Sequence, residues 1–161
     1  MNEIGQSFIA SARAYFTDDY LQKIERSLEL LTEEQIWWRA NPQSNSIGNL
    51  LLHLSGNVRQ WIVCGLGGAS DERDRDSEFA ERNLIPRDEL LARLKQTLNE
   101  ADDALAKFDA DKLLERHLIQ GCDVTALAAI FHVVEHFSMH VGQIVYITKQ
   151  LTAHDLHFYD L

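Results

Sequence analysis

Three histidines with regular spacing lie near the end of the chain, in the stretch FHVVEHFSMHVGQI: His132, His136 and His140. On an α-helix, residues four positions apart lie on one stripe. Two imidazoles at this spacing can reach one metal ion. All three cannot, because His132 and His140 are separated by about 12 Å along the helix axis and a Zn–N bond is about 2 Å long. The spacing therefore predicts one pair of ligands, completed from another helix.

A fourth candidate ligand is His53, which interrupts a run of leucines in NLLLHLSGNVRQW. A buried imidazole in an apolar seam needs a polar partner, and an ion shared with the later helix would supply one. The alternative is that these are core histidines satisfied by ordinary hydrogen bonds. His117, His154 and His157 are expected in loops or in the tail.

Two better-known metal sites match this region less well. HVVEH has the form of the H-x-x-E-H zinc-peptidase signature, with Glu135 as the base. That class needs a further carboxylate ligand well downstream, and no Glu follows Glu135 in the sequence. A di-iron site of the ferritin type needs two Glu-x-x-His pairs, and the sequence has none. Neither site is the leading interpretation.

Four long helices are expected to position the candidate ligands. Apolar residues recur at helical spacing in four segments, and few Gly or Pro residues interrupt them. Thr17, Asp18 and Asp19 suggest a bend in the first segment, and Thr32 is a possible N-cap of a short turn after it. The segments run over residues 4–31, from an N-cap at Ser46 to the glycines at 65–68, over residues 87–108, and from 123 or 125 to 150. Four such helices predict an all-α four-helix bundle.

The connectors indicate how the bundle is arranged. The segment 67–86 is polar and charged, and we expect a solvated connector that is long enough to cross the bundle at about 3.3 Å per residue. The second and third helices would then run the same way, giving an up-down-down-up order. With the second and fourth helices antiparallel, His53 lies level with Gln143, next to His140. A parallel arrangement would place it near Ile130, next to His132. The predicted order therefore favours His53, His136 and His140.

The length, net charge and cysteine content of the chain disfavour several classes of protein. A chain of 161 residues predicts a single domain over residues 1–161, and a formal net charge of −10 disfavours nucleic-acid binding and anionic membrane surfaces. The two cysteines, Cys64 and Cys122, predict no disulfide scaffold and are expected to be packing and loop thiols. With no signal peptide or transmembrane run in the sequence, we expect a cytoplasmic protein.

The sequence resembles the DinB/YfiT superfamily. The resemblance rests on the His53 context, WWRANPQSNSIGNLLLH, and on EHFSMHVGQI, and it covers nearly the whole chain. It implies an up-down-down-up bundle that is often homodimeric. It also implies that His53, His136 and His140 hold a divalent metal ion such as Zn, Ni or Fe. His132 lies outside this triad, beside the ligands or at the pocket mouth.

The resemblance implies two classes of function. One is a metal-dependent enzyme, such as a transferase that uses a low-molecular-weight thiol or a related hydrolase, acting on a small molecule. The other is a non-catalytic metal-binding bundle with a structural, stress-related or interaction role. Three neutral histidines leave a coordination position open, as catalytic zinc sites do. The helical spacing would allow Asn49 or Asn57 to orient the His53 imidazole, and Gln143 to orient the His140 imidazole. Glu135 points away from His136 and is not assigned as a base, so the catalytic residues stay unknown.

Overall fold

The computed structural model describes residues 2–158, and the chain is mostly helical over this range. The first helical rod consists of α1 (Glu3–Ala14) and α2 (Leu21–Glu29), which a π-helical segment, Tyr15–Tyr20, joins. The bend predicted at residues 17–19 falls inside this wider turn. The predicted first helix is therefore present, with a change of pitch in its middle.

Thr32 and Ser46 both cap helices, as predicted. Thr32 precedes the short helix α3 (Glu33–Ile36), and Ser46 precedes α4 (Ile47–Val58). In each cap the hydroxyl accepts a hydrogen bond from the backbone N–H three residues later, and that residue's side chain accepts one from the cap N–H. These bonds satisfy donors that a helix start leaves free. A second π-helical segment, Arg59–Cys64, extends α4.

The long connector between α4 and the next rod differs from the prediction. It contains a short helix, α5 (Arg75–Ala80), and within it the side chain of Glu78 is buried. Glu78 forms an ion pair with Arg73 and lies within hydrogen-bond distance of His53. The expectation of a wholly solvated connector is therefore wrong at α5, because a carboxylate with two such partners can be buried.

The two remaining rods agree with the prediction. The third rod is α6 (Arg87–Lys107), which follows Pro86. The fourth is α7 (Ala126–Thr152), and the Thr125 hydroxyl caps its start. A residue with positive φ, Ala153, ends α7, as helices commonly end in the left-handed region.

A β-hairpin between α6 and α7 was not predicted. Its strands are β1 (Arg116–Ile119) and β2 (Cys122–Thr125), paired antiparallel. Gln120 and Gly121 form the two-residue turn with φ values of 53° and 78°, and positive φ at both positions fits the twist of a tight hairpin. Cys122 is thus an exposed first residue of a strand, not part of the turn itself.

One hydrophobic core joins the four rods. Each rod contributes large side chains with no exposed surface or almost none, for example Ile24, Leu51, Leu94 and Phe137. The whole inward face of α4 is buried, including His53. Among the described helices, none combines the length and the apolar character that a membrane crossing requires.

Contacts between neighbouring rods show how residues along one rod are aligned with residues along the other. Two residue contacts describe the alignment of each of three neighbouring rod pairs. They are His53–His136 and Trp61–His132 for α4 with α7, Arg13–Asp102 and Glu25–Lys95 for the first rod with α6, and Arg59–Glu100 and Gly67–Ala104 for the α4 end with α6. The first contact pair brings the candidate ligands of α4 and α7 together.

Candidate metal centre

Two helices present three imidazoles to one point. His53 lies on the buried face of α4 and is 4% exposed, and His140 of α7 is 8% exposed. His136, one turn before His140, is half-buried. The Nε2 atom of His136 lies 3.0 Å from Nε2 of His53 and 3.2 Å from Nε2 of His140. The three residues that the sequence singled out therefore meet.

The spacing of these nitrogens fits a shared ion. One ligand atom from each of the three histidines lies within 4.8 Å of the others. Tetrahedral zinc with Zn–N bonds of about 2.0–2.1 Å would separate its nitrogens by about 3.3–3.4 Å. The measured separations of 3.0 and 3.2 Å are close to this value. The three histidines could thus hold a metal ion, with a coordination position left over.

Hydrogen bonds on the far side of the rings favour the same arrangement. Nδ1 of His53 lies 3.0 Å from Oε2 of Glu78, and Nδ1 of His140 lies 2.8 Å from Oε1 of Gln143. A carboxylate or amide oxygen only accepts hydrogen bonds, so each Nδ1 carries the proton and each Nε2 keeps its lone pair for the centre. This is how outer partners orient metal-binding histidines.

Glu78 is held in place by a buried guanidinium. Arg73 donates from Nε to Oε1 at 2.7 Å and from Nη2 to Oε2 at 2.8 Å. Both side chains are nearly inaccessible, at 5% and 10% exposed. Arg73 Nη2 also lies 3.1 Å from Nδ1 of His53, but its bond to Glu78 is the shorter one. Arg73, Glu78 and His53 therefore form one buried network.

The charge of Glu78 is favoured by this network. Burial raises the pKa of Glu78, but the hydrogen bonds from Arg73 and His53 outweigh burial and hold the pKa below its ordinary value of 4.5. Glu78 is thus an anion at neutral pH. A carboxylate that accepts from the imidazole makes the opposite ring nitrogen a stronger ligand.

Sequence reasoning missed Glu78 because it lies 25 residues from His53 in a charged connector. One local signal was available. Gly56 stands in the leucine-rich helix α4, three residues after His53. A Cβ atom at position 56 would overlap the Glu78 carboxylate. Glycine in a helix interior destabilises it by roughly 0.5–1 kcal/mol relative to alanine, so its presence there indicates a close approach by another segment.

The remaining sequence candidates lie in different places. Gln143 orients His140, as its spacing suggested. Asn49 instead accepts from the N–H of the α4 cap, Ser46, and donates to the backbone oxygen of Glu78 at 2.8 Å, so it positions α5 and only indirectly His53. Asn57 is buried, and within the described residues its Oδ1 has no hydrogen-bond partner. Glu135 is exposed.

Aromatic rings flank the three histidines. The ring of Phe79 lies 4.6 Å from that of His53, and the Arg75 guanidinium lies 4.9 Å from the centre of the Phe79 ring. His132 packs against Trp61 at 4.4 Å and lies 5.5 Å from the His136 ring. His132 is therefore a neighbour of the triad and not a member of it.

The two thiols lie outside the triad. Cys64 is partly buried, and its Sγ lies 3.2 Å from the backbone oxygen of Ser70. Burial raises the pKa of the Cys64 thiol, which makes it a poor nucleophile at neutral pH. Cys122 is exposed on the hairpin.

Burial favours the neutral form of the α7 histidines His132, His136 and His140. Burial first, and then the neighbouring imidazoles, lower the pKa of His136 from 6.5 to about 3. Burial also lowers the pKa of His140 and of His132. Metal ligands must be unprotonated, and the surroundings of His136 and His140 favour that state without an ion.

The metal-free protein should lose stability in mildly acidic solution. An unfolded chain takes up a proton on each of these histidines near pH 6.5, whereas folded His136 stays neutral to about pH 3. The unfolded state therefore binds more protons between these values, so stability that is present above about pH 6.5 is lost as the pH falls. Urea unfolding in EDTA at about pH 7.5 and about pH 5 measures this loss. A His136→Gln variant should show a shallower loss, and equal stability of the native chain at both values would contradict the expectation.

Comparisons with known proteins place this geometry in context. A family model described as "Protein of unknown function (DUF1572)" matches residues 3–160. The fold is similar to the crystal structure of a DinB-like protein from Bacillus cereus ATCC 10987, with a TM-score of 0.62, 16% sequence identity, and coverage of 84% of this chain and 92% of that chain. No curated protein matches the chain. The resemblance to the DinB/YfiT superfamily is confirmed, and the likeness to the solved structure concerns the fold.

Proposed function

The chain belongs to the family described as "Protein of unknown function (DUF1572)", a DinB-like family, and on this premise we propose that it binds one divalent metal ion through His53, His136 and His140. We propose further that it is a metal-dependent enzyme of the thiol S-transferase type or a related transferase or hydrolase. The observation that carries the proposal is the convergence of three Nε2 atoms at 3.0 and 3.2 Å.

The roles of the residues follow from the contacts. A divalent ion held there would supply Lewis-acid chemistry, which lowers the pKa of a thiol or a water molecule. Glu78 and Gln143 hold His53 and His140 in the tautomer whose Nε2 faces the centre. The Phe79 ring packs against the His53 ring, and the Trp61 ring packs against His132 next to the triad. In the transfer, the thiol loses its proton to solvent, sulfur bonds to an electrophilic carbon of the small-molecule substrate, and the leaving group departs with its electron pair.

Zn, Ni and Fe are the candidate ions, because imidazole ligands suit all three. Elemental analysis of protein purified without chelator identifies the ion. A protein that contains no metal and takes up neither Zn²⁺ nor Ni²⁺ on titration would overturn the proposal in both its parts.

A second candidate function is a non-catalytic metal-binding bundle with a structural, stress-related or interaction role. The buried Arg73–Glu78–His53 network favours it. An ion bound to His53 would join α4, α7 and the connector into one unit. Such an ion would act mainly as a clamp, as structural metal sites do.

The His53→Ala variant separates the two candidates. If the protein is an enzyme, we expect the fold to survive and thiol conjugation to fall to background, since the open ion site is lost. If the ion is a clamp, the melting temperature should fall in step with metal content. The assay combines several low-molecular-weight thiols with a panel of electrophiles, before and after EDTA treatment. Conjugation that persists in His53→Ala would contradict the metal-dependent enzyme.

The relative directions of the four rods support a more detailed description of the fold. We infer the up-down-down-up order with a single domain over residues 1–161. It is supported by contacts between α4 and α7, and between the first rod and α6, that run in opposite directions along the two paired rods. The contacts between α4 and α6 run in the same direction. The shared hydrophobic core supports the single domain.

The partners and location are proposals of the same kind. We propose a cytoplasmic homodimer that binds a small molecule and neither nucleic acid nor membrane. The net charge of −10 supports the exclusion of nucleic acid. Leu127, Phe131 and Met139 form an exposed apolar stripe on α7 that a second copy could cover. Sedimentation velocity tests the dimer, and a monomer at micromolar concentration would contradict it.

A further inference from the structure

A pocket separate from the triad opens one helical turn beyond it. Its volume is about 400 Å³, which is in the range of small-molecule sites. Trp38, Ala40 and residues 43–45 form one wall, and the α7 residues Gln143, Tyr146 and Gln150 form the other. Leu50 of α4, one turn before His53, lies at its base.

The lining of this pocket carries no charge. Its polar residues include the amides Gln43, Asn45, Gln143 and Gln150 and the hydroxyl residues Ser44 and Tyr146. No Asp, Glu, Lys, Arg or His belongs to the lining, although a quarter of the chain is charged. An ionic ligand would find no counter-charge there. Amides both donate and accept, so they suit a ligand rich in neutral hydroxyl groups.

Two aromatic rings complete the pocket. Trp38 is 38% exposed and Tyr146 is 64% exposed, whereas Trp37 and Trp61 are almost completely buried. An exposed indole beside polar amides is unlike a core residue. Flat aromatic faces pack against the apolar C–H faces of a sugar ring, while the surrounding amides bind its hydroxyls.

The amides also have capacity left for a ligand. In the part of the chain that the structure describes, the side chains of Gln43 and Asn45 make no hydrogen bond. Gln143 accepts from His140 through Oε1, which leaves its NH₂ group, with two donors, free for the pocket. Gln143 thus belongs to both sites.

We propose that this pocket binds a neutral carbohydrate, a monosaccharide or a simple glycoside, stacked against Trp38 and Tyr146. The hydroxyls of the sugar bond to Gln43, Asn45 and Gln143. The proposal goes beyond metal binding and does not depend on it, because the pocket is complete without an ion. A sugar held there would contact Gln143, so binding is also felt at His140.

Saturation-transfer difference NMR on the full chain tests the proposal. The probes are methyl β-D-glucopyranoside, methyl N-acetyl-β-D-glucosaminide and myo-inositol, each with Zn²⁺ and with EDTA. We expect at least one to bind with a Kd of about 1–10 mM, the range of weak, specific ligands, in both conditions. The corresponding methyl glucuronide should bind several-fold more weakly, since its carboxylate meets no cation and the chain is acidic.

Variants assign the binding to the pocket. Trp38→Ala and Tyr146→Ala should each weaken binding about tenfold or more. The matched control is Tyr15→Ala, another exposed aromatic outside the pocket, which should leave Kd unchanged. Circular dichroism checks that each variant folds. Failure of every neutral probe to bind, unchanged binding by Trp38→Ala, or binding of the glucuronide alone would overturn the proposal. None of these results bears on metal content.

Discussion

Replacing His136 with alanine is expected to lower the affinity for Zn²⁺ by about a hundredfold or more, a larger effect than the 10–100-fold typical of losing an outer partner. His136 is the central candidate ligand, because its Nε2 is the atom that lies close to both other Nε2 atoms. Without it, only His53 and His140 remain. Competition with a chromogenic chelator measures the affinity, and elemental analysis measures the metal retained through purification.

His132→Ala is the matched control for this prediction. His132 lies on the same helix, one turn before His136, and its ring is 5.5 Å from that of His136. It contributes no ligand atom to the group of three, so its loss should change the affinity little. Equal metal retention by His136→Ala and the native chain, or equal losses in both variants, would show that the ion is not held by this triad.

Replacing Glu78 with alanine should damage both stability and metal binding. It leaves Arg73 buried without a counter-charge, and breaking a buried ion pair in this way destabilises by about 3–5 kcal/mol. It also removes the acceptor for Nδ1 of His53, which should weaken metal binding by about 10–100-fold. Urea unfolding of the metal-free protein and Zn²⁺ competition measure the two effects separately.

Two further variants distinguish these causes. The double variant Arg73→Met with Glu78→Met removes both charges, so it should recover much of the lost stability but not the metal affinity. Glu72→Ala removes an exposed acid from the same connector and should change both properties little. If Glu78→Ala behaves like Glu72→Ala, the buried network has no role in folding or binding.

The helical rods and the stripe of histidines on α7 could be predicted because both depend on local periodicity. Apolar spacing of 3.6 residues identified the rods, and Ser46 and Thr125 set two of their starts. His136 and His140 were preferred to His132 because His53 lies at the same height as Gln143, next to His140, when the second and fourth helices are antiparallel. Gln143 could be found for the same reason, since it lies three residues from His140 on one helix.

The rest depends on contacts that sequence spacing does not carry. The connector sequence is dominated by charge, and nothing local shows that Glu78 turns inward while Glu72 stays in solvent. Only the matching of Gly56 to an incoming carboxylate reveals it. The hairpin was missed because Gln120 is not a typical turn residue, and the strands on either side are only four residues long.

The docking of α5 onto α4 has a thermodynamic consequence. Glu78 lies on α5 in the connector, yet its carboxylate is within hydrogen-bond distance of a candidate ligand on α4, His53. Coupling between two binding equilibria is reciprocal. If docking of the connector raises the affinity for an ion by a given free energy, a bound ion stabilises the docked connector by the same free energy. If the triad binds a cation, that binding stabilises the docked position of α5, and the docked position of α5 strengthens the binding to the same extent.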